Sequence, residues 1–254
     1  MKIKYFKYQS SGNNFILIDV ISENINFDIK INTLISNPII KKSDGILILA
    51  NSKKNNFDLS FYDPDGSRGF CGNGSLCSLH YLKAKNEIKE TASFSSLGKK
   101  YFAKISSEIS LKMKNIKSFK SFNDEYFIDS GAPHHIKFVD DANSFDIKKE
   151  ANLIRKRSLY RLTDCNVNLV SDLGNGSIYV RTFEKGVERE TLSCGTGAVA
   201  SVIAFSLHKN YSVNNIITKG GELKVFFKRS KKNYFTEIFL IGNPKEEYSG
   251  EIIV

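Results

Sequence analysis

The chain of 254 residues has no tryptophan, two methionines, four prolines and four cysteines. It has no apolar run near the roughly 18–20 residues that a membrane-spanning helix needs. Its first residues, MKIKYFKYQS, lack the apolar centre of a secretory signal peptide. We therefore expect a cytoplasmic protein with no membrane partner. Four cysteines in a chain of this size do not suggest a disulfide framework, so we expect reduced thiols.

The charge is strongly basic, but its pattern is not that of a nucleic-acid-binding protein. The formal net charge is +10 at pH 7, from 37 lysines and arginines against 27 acidic residues. The basic residues are scattered, with no arginine-rich run, no basic stripe interleaved with aromatics and no zinc-finger spacing. We therefore expect a solvated basic surface and no nucleic-acid partner. The phosphate-loop patterns G-x-x-x-x-G-K-[ST] and G-x-G-x-x-G are also absent.

A tetrapeptide of cysteine, glycine, a small polar residue and glycine occurs twice. CGNG begins at Cys71 and CGTG begins at Cys194, and each opens a stretch with helical spacing. The pattern C-G-x-G-x-x-x-S extends the match, and a Ser-Gly pair precedes a predicted strand upstream of each copy. The matched order and spacing predict an internal duplication, whose two halves would share a cleft.

The pattern along the chain is one of short strands around a few helices. Predicted helices include residues 31–37, the stretches after the two cysteines and residues 147–160, and a hairpin is predicted over 222–229 and 234–242. After Cys71, leucines at positions 76, 79 and 82 are predicted to form one apolar helix face. We expect an N-terminal half over 1–118 that also takes the last strand, 248–254, and a C-terminal half over 119–247.

A cysteine at a glycine-rich helix start has particular chemistry. Helix starts carry unpaired N–H groups and a partial positive charge, which stabilise a thiolate or hold a carboxylate. Two such sulfurs facing one bound anion suit inversion of a stereocentre beside a carboxylate. One thiolate would remove the α-proton and one thiol would return a proton to the opposite face. The two helix starts would hold the carboxylate as negative charge develops.

Plainer interpretations cover the other cysteines. Cys165 and Cys77 are expected to be core residues, because buried cysteine is common. The spacing of the cysteines and histidines does not match structural zinc. A disulfide between Cys71 and Cys194 would be an oxidised, inactive state.

Five segments in order resemble the cofactor-independent diaminopimelate epimerases over essentially the whole chain. They are SSGNNF, DPDGSRGFCGNGSLC, GAPHHIKFVD, CNVNLV and FEKGVERETLSCGTGA. The resemblance implies an α+β fold of two pseudo-symmetric halves, each a curved, mostly antiparallel sheet wrapped around a central helix. The active site would lie in the cleft between them. It also implies a homodimer that needs no cofactor and no metal, and that interconverts LL- and meso-2,6-diaminopimelate for lysine and peptidoglycan precursors.

The resemblance also assigns residues to the site. Cys71 and Cys194 would be the acid/base pair. Backbone N–H groups would bind the reacting carboxylate, and side chains would hold the amines and far end of the substrate. The implied substrate-binding residues are Asn13, Asp63, Gly72, Asn73, Asn166, Glu184, Lys185, Gly195 and Thr196.

Several positions depart from the family pattern. Ala132 replaces an asparagine, and Lys185 replaces an arginine and so loses a bidentate grip on a carboxylate. Asp63 replaces an asparagine and adds a negative charge. Asn14 and Leu76 also differ from the pattern. The loop from DGS to Cys71 is one residue shorter than usual, and VERE lengthens the loop before Cys194 by one.

Two other functions fit the same motifs. One is a related two-cysteine racemase or isomerase with another amino-acid substrate. The other is a degenerate, non-catalytic binding protein, which the intact cysteines and glycines argue against. Among the polar residues, Asn13 could serve only its turn and Glu184 could be a surface charge. At least one of His134 and His135 is expected to be structural.

Overall fold

The computed structural model describes residues 2–23, 31–157 and 164–253. The chain forms two compact units: unit 1 contains Met1–Leu111 and Gly242–Val254, and unit 2 contains Lys112–Ile241. Both combine strands and helices, so the predicted α+β class is confirmed. The helix predicted over 147–160 is α5, which ends at Arg155. Residues 158–160 of that prediction lie outside the described part of the chain.

The described residues of unit 1 form a sheet, a central helix and three short helices. The helices are α1 (Val20–Glu23), α2 (Ile31–Ile35), α3 (Pro38–Lys41) and α4 (Gly72–Ala84). The strands are β1 (Lys2–Ser10), β2 (Asn13–Asp19), β3 (Gly45–Ala50), β4 (Phe57–Tyr62), β5 (Arg68–Gly69), β6 (Thr91–Ser96), β7 (Lys99–Ile105), β8 (Ile109–Lys112) and, from the C-terminus, β18 (Lys245–Ile253).

The sheet of unit 1 is mostly antiparallel. Its strands pair in the order β18–β1–β2–β3–β4–β6–β7–β8, and only the pairs β2–β3 and β4–β6 are parallel. β1 and β2 form a hairpin that turns at Ser11 and Gly12, both with positive φ, as a two-residue hairpin turn requires. β18 pairs with β1 from Ile253 to Lys245. Val254, the last residue of the predicted closing strand, lies outside the described residues.

Unit 2 also contains one sheet and one central helix. The helices are α5 (Ile147–Arg155) and α6 (Gly195–Lys209), with a 3-10 turn over Ala142–Ser144. The strands are β9 (Lys120–Phe122), β10 (Glu125–Asp129), β11 (Pro133–Phe138), β12 (Asn166–Asp172), β13 (Ser177–Glu184), β14 (Arg189–Thr191), β15 (Asn215–Thr218), β16 (Gly221–Arg229) and β17 (Phe235–Ile241).

The pairing pattern of unit 1 recurs in unit 2. The order is β9–β10–β11–β12–β13–β15–β16–β17, with β11–β12 and β13–β15 parallel and the other pairs antiparallel. A short strand pairs with the fifth strand of each order, β5 with β4 and β14 with β13. The two units therefore share one topology. The hairpin predicted near the C-terminus is β16–β17 and is confirmed.

In each unit the helix that begins after a repeated cysteine is the central one. All residues from Gly72 to Leu79 in α4 and from Gly195 to Ser206 in α6 are buried. α4 contacts five strands of its sheet, β1 to β4 and β18. The leucines at 76, 79 and 82 are buried as predicted. The small residues between them are buried too, so neighbouring segments pack around α4 and not against a single apolar face. The helix starts are therefore fixed by packing on several sides.

Across the described ranges, the longest apolar helix falls short of what a bilayer crossing requires. Those same ranges contain no cluster of three or more His, Cys, Asp or Glu side chains placed to hold a metal ion.

Candidate active site

Cys71 is the residue that caps α4. Its backbone is extended, with φ −121° and ψ 117°, and the helix begins at Gly72. Its Sγ accepts a hydrogen bond from the backbone N–H of Gly74 at 3.4 Å. The sulfur thus takes the place that an oxygen usually has at a helix N-cap. The side chain is only partly buried.

The residues after Cys71 fit a crowded helix start. A Cβ at Gly74 would lie 2.7 Å from Leu47 Cδ2, so a side chain there would force the core apart. Asn73 donates its Nδ2 hydrogen to Asn13 Oδ1 at 2.8 Å. Asn13 begins β2 directly after the hairpin turn. The structure therefore brings Cys71, Gly72, Asn73 and Asn13 together at the start of α4.

Asp63 lies in the turn that leads toward Cys71. Its backbone N–H donates to the Ser67 carbonyl at 2.9 Å, and its carboxylate accepts from the Ser67 hydroxyl at 3.4 Å. Burial, helped by the nearby charge of Asp65, raises the pKa of this carboxyl group above its usual value. A Cβ at Gly69 would lie 3.5 Å from Asp63 Oδ2, which places the carboxylate beside the segment before Cys71.

Cys194 caps α6 in the same way as Cys71 caps α4. Its backbone has φ −139° and ψ 114°, and its Sγ accepts from the N–H of Gly197 at 3.4 Å. This sulfur also has polar neighbours, with Thr196 Oγ1 at 3.4 Å and Glu184 Oε1 at 4.0 Å. The residue is 8% exposed. A carboxylate at that distance is placed to accept the S–H hydrogen.

Gly197 allows a polar group to approach the helix start of α6. A Cβ there would lie 2.7 Å from Asn168 Nδ2 and 3.2 Å from Thr182 Oγ1. The Asn168 amide donates to the hydroxyls of Thr182 and Ser201, each at 3.2 Å. This orients the Asn168 carbonyl oxygen toward His134.

His134 connects Asn168 to Thr196. Its Nδ1 is 2.8 Å from Asn168 Oδ1, and its Nε2 is 2.9 Å from Thr196 Oγ1. Because Asn168 Oδ1 can only accept, Nδ1 carries the proton and Nε2 accepts. Burial lowers the pKa of His134 to about 4, so the ring is neutral near pH 7. With Thr196 donating to His134, the Thr196 oxygen faces Cys194 Sγ as a second acceptor beside Glu184 Oε1 for the single S–H hydrogen.

Asn166, Glu184 and Lys185 meet beside this network. Asn166 Nδ2 lies 3.3 Å from His134 Nε2, and Asn166 Oδ1 accepts the Lys185 backbone N–H at 2.8 Å. Glu184 ends β13, and Lys185 is the next residue. Asn166 thus ties the strand β12 to the turn that carries both charged residues.

An arginine fixes the far side of that turn. Arg155 at the end of α5 donates to Asp164 at 2.6 Å and to Glu188 at 3.0 Å. Glu188 also accepts the Gly186 N–H at 3.0 Å. Glu188 lies in the VERE segment, so the ion pair with Arg155 holds this loop against α5.

The two remaining cysteines are buried, as expected of core residues. Cys77 and Cys165 are each 0% exposed. Burial raises the pKa of the Cys77 thiol well above its usual value and that of Cys165 to about 11. Neither sulfur is therefore an accessible thiolate near neutral pH.

Sequence reasoning missed parts of both helix starts. Asn168 stands two residues after Asn166, and strand alternation places both on one face, so that signal was available. The role of His134 as the link to Thr196 depends on contacts between distant strands. Both His134 and His135 are 0% exposed. That at least one of them is structural stays a prediction. Phe70, which packs directly before Cys71, had no sequence signal.

The fold resembles that of several solved structures. A phenazine biosynthesis protein of the PhzF family from Bacillus anthracis matches with a TM-score of 0.78 at 12% identity, covering 100% of both chains. A probable proline racemase from Agrobacterium radiobacter matches with a TM-score of 0.67 at 11% identity, covering 99% of this chain and 93% of that one. At these identities the likeness concerns the fold alone.

Sequence comparison is more specific. Residues 126–246 match the family model described as diaminopimelate epimerase. A diaminopimelate epimerase of Flavobacterium psychrophilum is 36% identical over 250 residues, covering 94% of this chain and 96% of that protein. One from a Hydrogenobaculum species is 32% identical and covers 96% of each. This chain therefore belongs to the diaminopimelate epimerase family and is an isomerase of the epimerase class.

Proposed function

We propose that the protein interconverts LL- and meso-2,6-diaminopimelate by a two-base mechanism that uses Cys71 and Cys194. One observation carries the proposal. The two repeated cysteines cap their central helices alike, each Sγ accepting the N–H of the glycine three residues on at 3.4 Å. A hydrogen bond from a helix start stabilises a thiolate, which is the form that abstracts a proton. Cys77 lies inside α4 and Cys165 directly precedes β12, so neither residue caps a helix.

In the proposed reaction one sulfur begins as thiolate and the other as thiol. The thiolate takes the proton from the substrate α-carbon, so an S–H bond forms as the C–H bond breaks. The electron pair of that bond spreads into the adjacent carboxylate. The thiol then gives its proton to the opposite face of the carbon and becomes a thiolate. The configuration is inverted: the first sulfur now holds the former α-proton, and the α-carbon holds the proton that the second sulfur gave up.

The reacting carboxylate is assigned to the two helix starts. The carboxylate oxygens would accept hydrogen bonds from the backbone N–H groups of Gly72 and Asn73 on α4 and of Gly195 and Thr196 on α6. Helix N-termini favour anions, and fixed N–H donors stabilise the charge that develops in the transition state. This arrangement asks for neither pyridoxal phosphate nor a metal.

The rest of the substrate is assigned to polar side chains near the sulfurs. Glu184, Asn13 and Asn166 would hold the ammonium groups, and Lys185 the distal carboxylate. Glu184 Oε1, 4.0 Å from Cys194 Sγ, would also receive the S–H hydrogen and thereby assist thiolate formation. Asp63 would lie nearest the distal end. The proposal also places the protein in the cytoplasm as a homodimer that supplies meso-diaminopimelate for lysine and peptidoglycan precursors.

The test is incubation of the reduced protein with LL-diaminopimelate in heavy water. Chiral chromatography and mass spectrometry would then follow the meso isomer and the deuterium at one α-carbon. We expect both to appear with the unmodified chain. In Cys71→Ala and in Cys194→Ala the rate of epimerisation should fall by about a thousandfold or more. Cys77→Ala, a buried cysteine on the same helix as Cys71, is the matched control and should stay active.

Two results would reject the proposal. One is meso isomer formed at normal rate by either active-site cysteine variant. The other is well-folded, reduced protein that gives neither exchange nor epimer.

A retargeted substrate is the second candidate, and it is favoured by Asp63 and Lys185. The carboxyl of Asp63 adds charge where the family pattern has an amide, and Lys185 replaces a bidentate arginine. The same heavy-water assay with other amino acids distinguishes the two candidates. Exchange into an amino acid with one charged end, but none into diaminopimelate, would support this second function.

A further inference from the structure

Four aromatic rings form a row in unit 1 that ends at the residue before Cys71. Three of them belong to direct cross-strand partners, Phe57 on β4, Phe94 on β6 and Tyr101 on β7. The ring centroids of Phe57 and Phe94 are 5.0 Å apart at 14°, and those of Phe94 and Tyr101 are 5.2 Å apart at 17°. These spacings are close to the separation of neighbouring strands, so the row follows the sheet.

Phe70 is the fourth ring. Its centroid lies 4.3 Å from that of Tyr101, and the planes differ by 7°. Tyr101 therefore stacks on two rings, Phe94 and Phe70. The next strand, β8, pairs with Ala103 to Ile105 of β7, which lie beyond Tyr101 along that strand. The row of rings is therefore continued at Tyr101 by Phe70 and not by β8.

The ends of the row differ in burial. Phe57 and Phe94 are 0% exposed and belong to the core, whereas Phe70 and Tyr101 are only partly buried. The outer stack therefore adds less to the core than the inner one does. Its distinctive feature is its position, one peptide bond from Cys71.

The segment that Phe70 ends is short. β5 contributes two residues, paired with β4 through Phe61↔Gly69 and Tyr62↔Arg68. Phe70 follows directly, and the extended backbone of Cys71 leads into α4. Because the segment between β4 and α4 is so short, each residue has little freedom to compensate for a movement of its neighbour.

We propose that the aromatic row positions Cys71, with Phe70 and Tyr101 as positioning residues. The parallel stack fixes the Phe70 ring, and with it the direction in which the chain enters the cap. This keeps the Cys71 sulfur against the N–H of Gly74. The inference rests on the proposed function in so far as that sulfur carries a proton.

The experiment removes the stack while keeping apolar volume, with Phe70→Leu and Tyr101→Leu in the full chain. The rate of Cys71 alkylation by iodoacetamide would be followed against pH by peptide mass spectrometry. We expect the midpoint to rise by about half a pH unit, because the sulfur leaves its N–H donor. With diaminopimelate, kcat should fall about tenfold while KM stays within about twofold.

Two further variants separate positioning from stability. Tyr101→Phe keeps the ring and should restore both the alkylation midpoint and kcat. Phe138→Leu removes an equally parallel stack, that of Phe138 on His208 in unit 2, at 4.5 Å and 13°. It should lower the melting temperature and leave Cys71 alkylation unchanged.

The proposal is overturned if Phe70→Leu and Tyr101→Leu lower only the melting temperature, as Phe138→Leu does. If Phe70→Leu does not fold, Tyr101→Leu decides in its place. Alkylation reports on the sulfur whether or not diaminopimelate is turned over. An active Cys71→Ala variant would therefore reject the proposed function, while the alkylation result would still decide this proposal.

Discussion

The helix starts at Cys71 and Cys194 share a cap but differ in what surrounds it. Both sulfurs accept one N–H at 3.4 Å, and in both a Cβ on the third residue after the cysteine would meet a neighbour at 2.7 Å. Around Cys194 the neighbours are polar: Thr196, Glu184 and, through Thr196, His134. Before Cys71 stands an aromatic stack on Tyr101.

This difference teaches that one local motif can be supported in two ways. At Cys194 the support can itself donate and accept hydrogens, so a substitution there changes proton affinity as well as geometry. At Cys71 the support on the side of Phe70 is packing, so a substitution there changes geometry first.

Among the residues that support the two sulfurs, the largest effect is expected for Glu184→Gln. The change removes the carboxylate 4.0 Å from Cys194 Sγ but keeps the shape of the side chain. We expect kcat for epimerisation to fall about a hundredfold, since removal of an acid/base group typically costs this much. Steady-state kinetics would measure it. The control is Glu150→Gln on α5, which breaks the ion pair between Glu150 and Lys137 of β11. Its kcat should stay within about twofold of the unmodified value. Equal losses in both variants would contradict the role of Glu184.

The next effect concerns the pH dependence of the free energy of unfolding that comes from His134. Its pKa is about 4 in the folded chain and 6.5 when unfolded, so between these values the unfolded state binds more protons. The stability that neutral His134 contributes to the folded chain is fully present above pH 6.5 and is lost as the pH falls toward 4. The slope is about 1.4 kcal/mol per pH unit.

His134→Gln should remove this slope. From pH 6.5 to 5 the free energy of unfolding of the variant should fall by about 2 kcal/mol less than that of the unmodified chain, as urea titrations would show. His135 has its pKa lowered to about 4 by burial and supplies a comparable slope that the variant retains. Parallel pH curves for variant and parent would show that His134 is not buried in neutral form.

A smaller effect is expected for Arg155→Met. The change releases Asp164 and Glu188 and loosens the turn that carries Glu184 and Lys185. We expect kcat/KM to fall about tenfold, because a small displacement of positioned groups is costly. The matched control is Arg157→Met, two residues after Arg155, which breaks the ion pair between Arg157 and Glu125. It should leave kcat/KM within about twofold. Similar values for the two variants would show that the turn does not depend on its arginine.

The smallest effect is expected on the Cys71 side, for Asp63→Asn. The change removes a charge that would repel the distal carboxylate of the substrate, so KM should fall about threefold at pH 8. Burial raises the pKa of Asp63, and its own protonation removes the charge as pH falls, so the advantage should shrink in acid. KM against pH would measure it, with the exposed Asp65→Asn as the control. An unchanged or higher KM at pH 8 would place the distal carboxylate away from Asp63.

Much of the fold was predictable because it depends on local patterns. The hairpin β16–β17 follows from apolar runs around a turn, and the burial of the leucines in α4 follows from helical spacing. The α+β class follows from such elements together with the family motifs. The duplication boundary near residue 118 stays a prediction, as do the roles given to the site residues.

The sequence by itself indicated the two capped helix starts, because a cap joins a cysteine to the N–H three residues on. Tertiary structure alone decided what surrounds them. His134 and Thr196 are 62 residues apart, and Phe70 meets Tyr101 only because the strands β4, β6 and β7 lie side by side. Such contacts depend on strand order and register, which pattern along a chain does not specify.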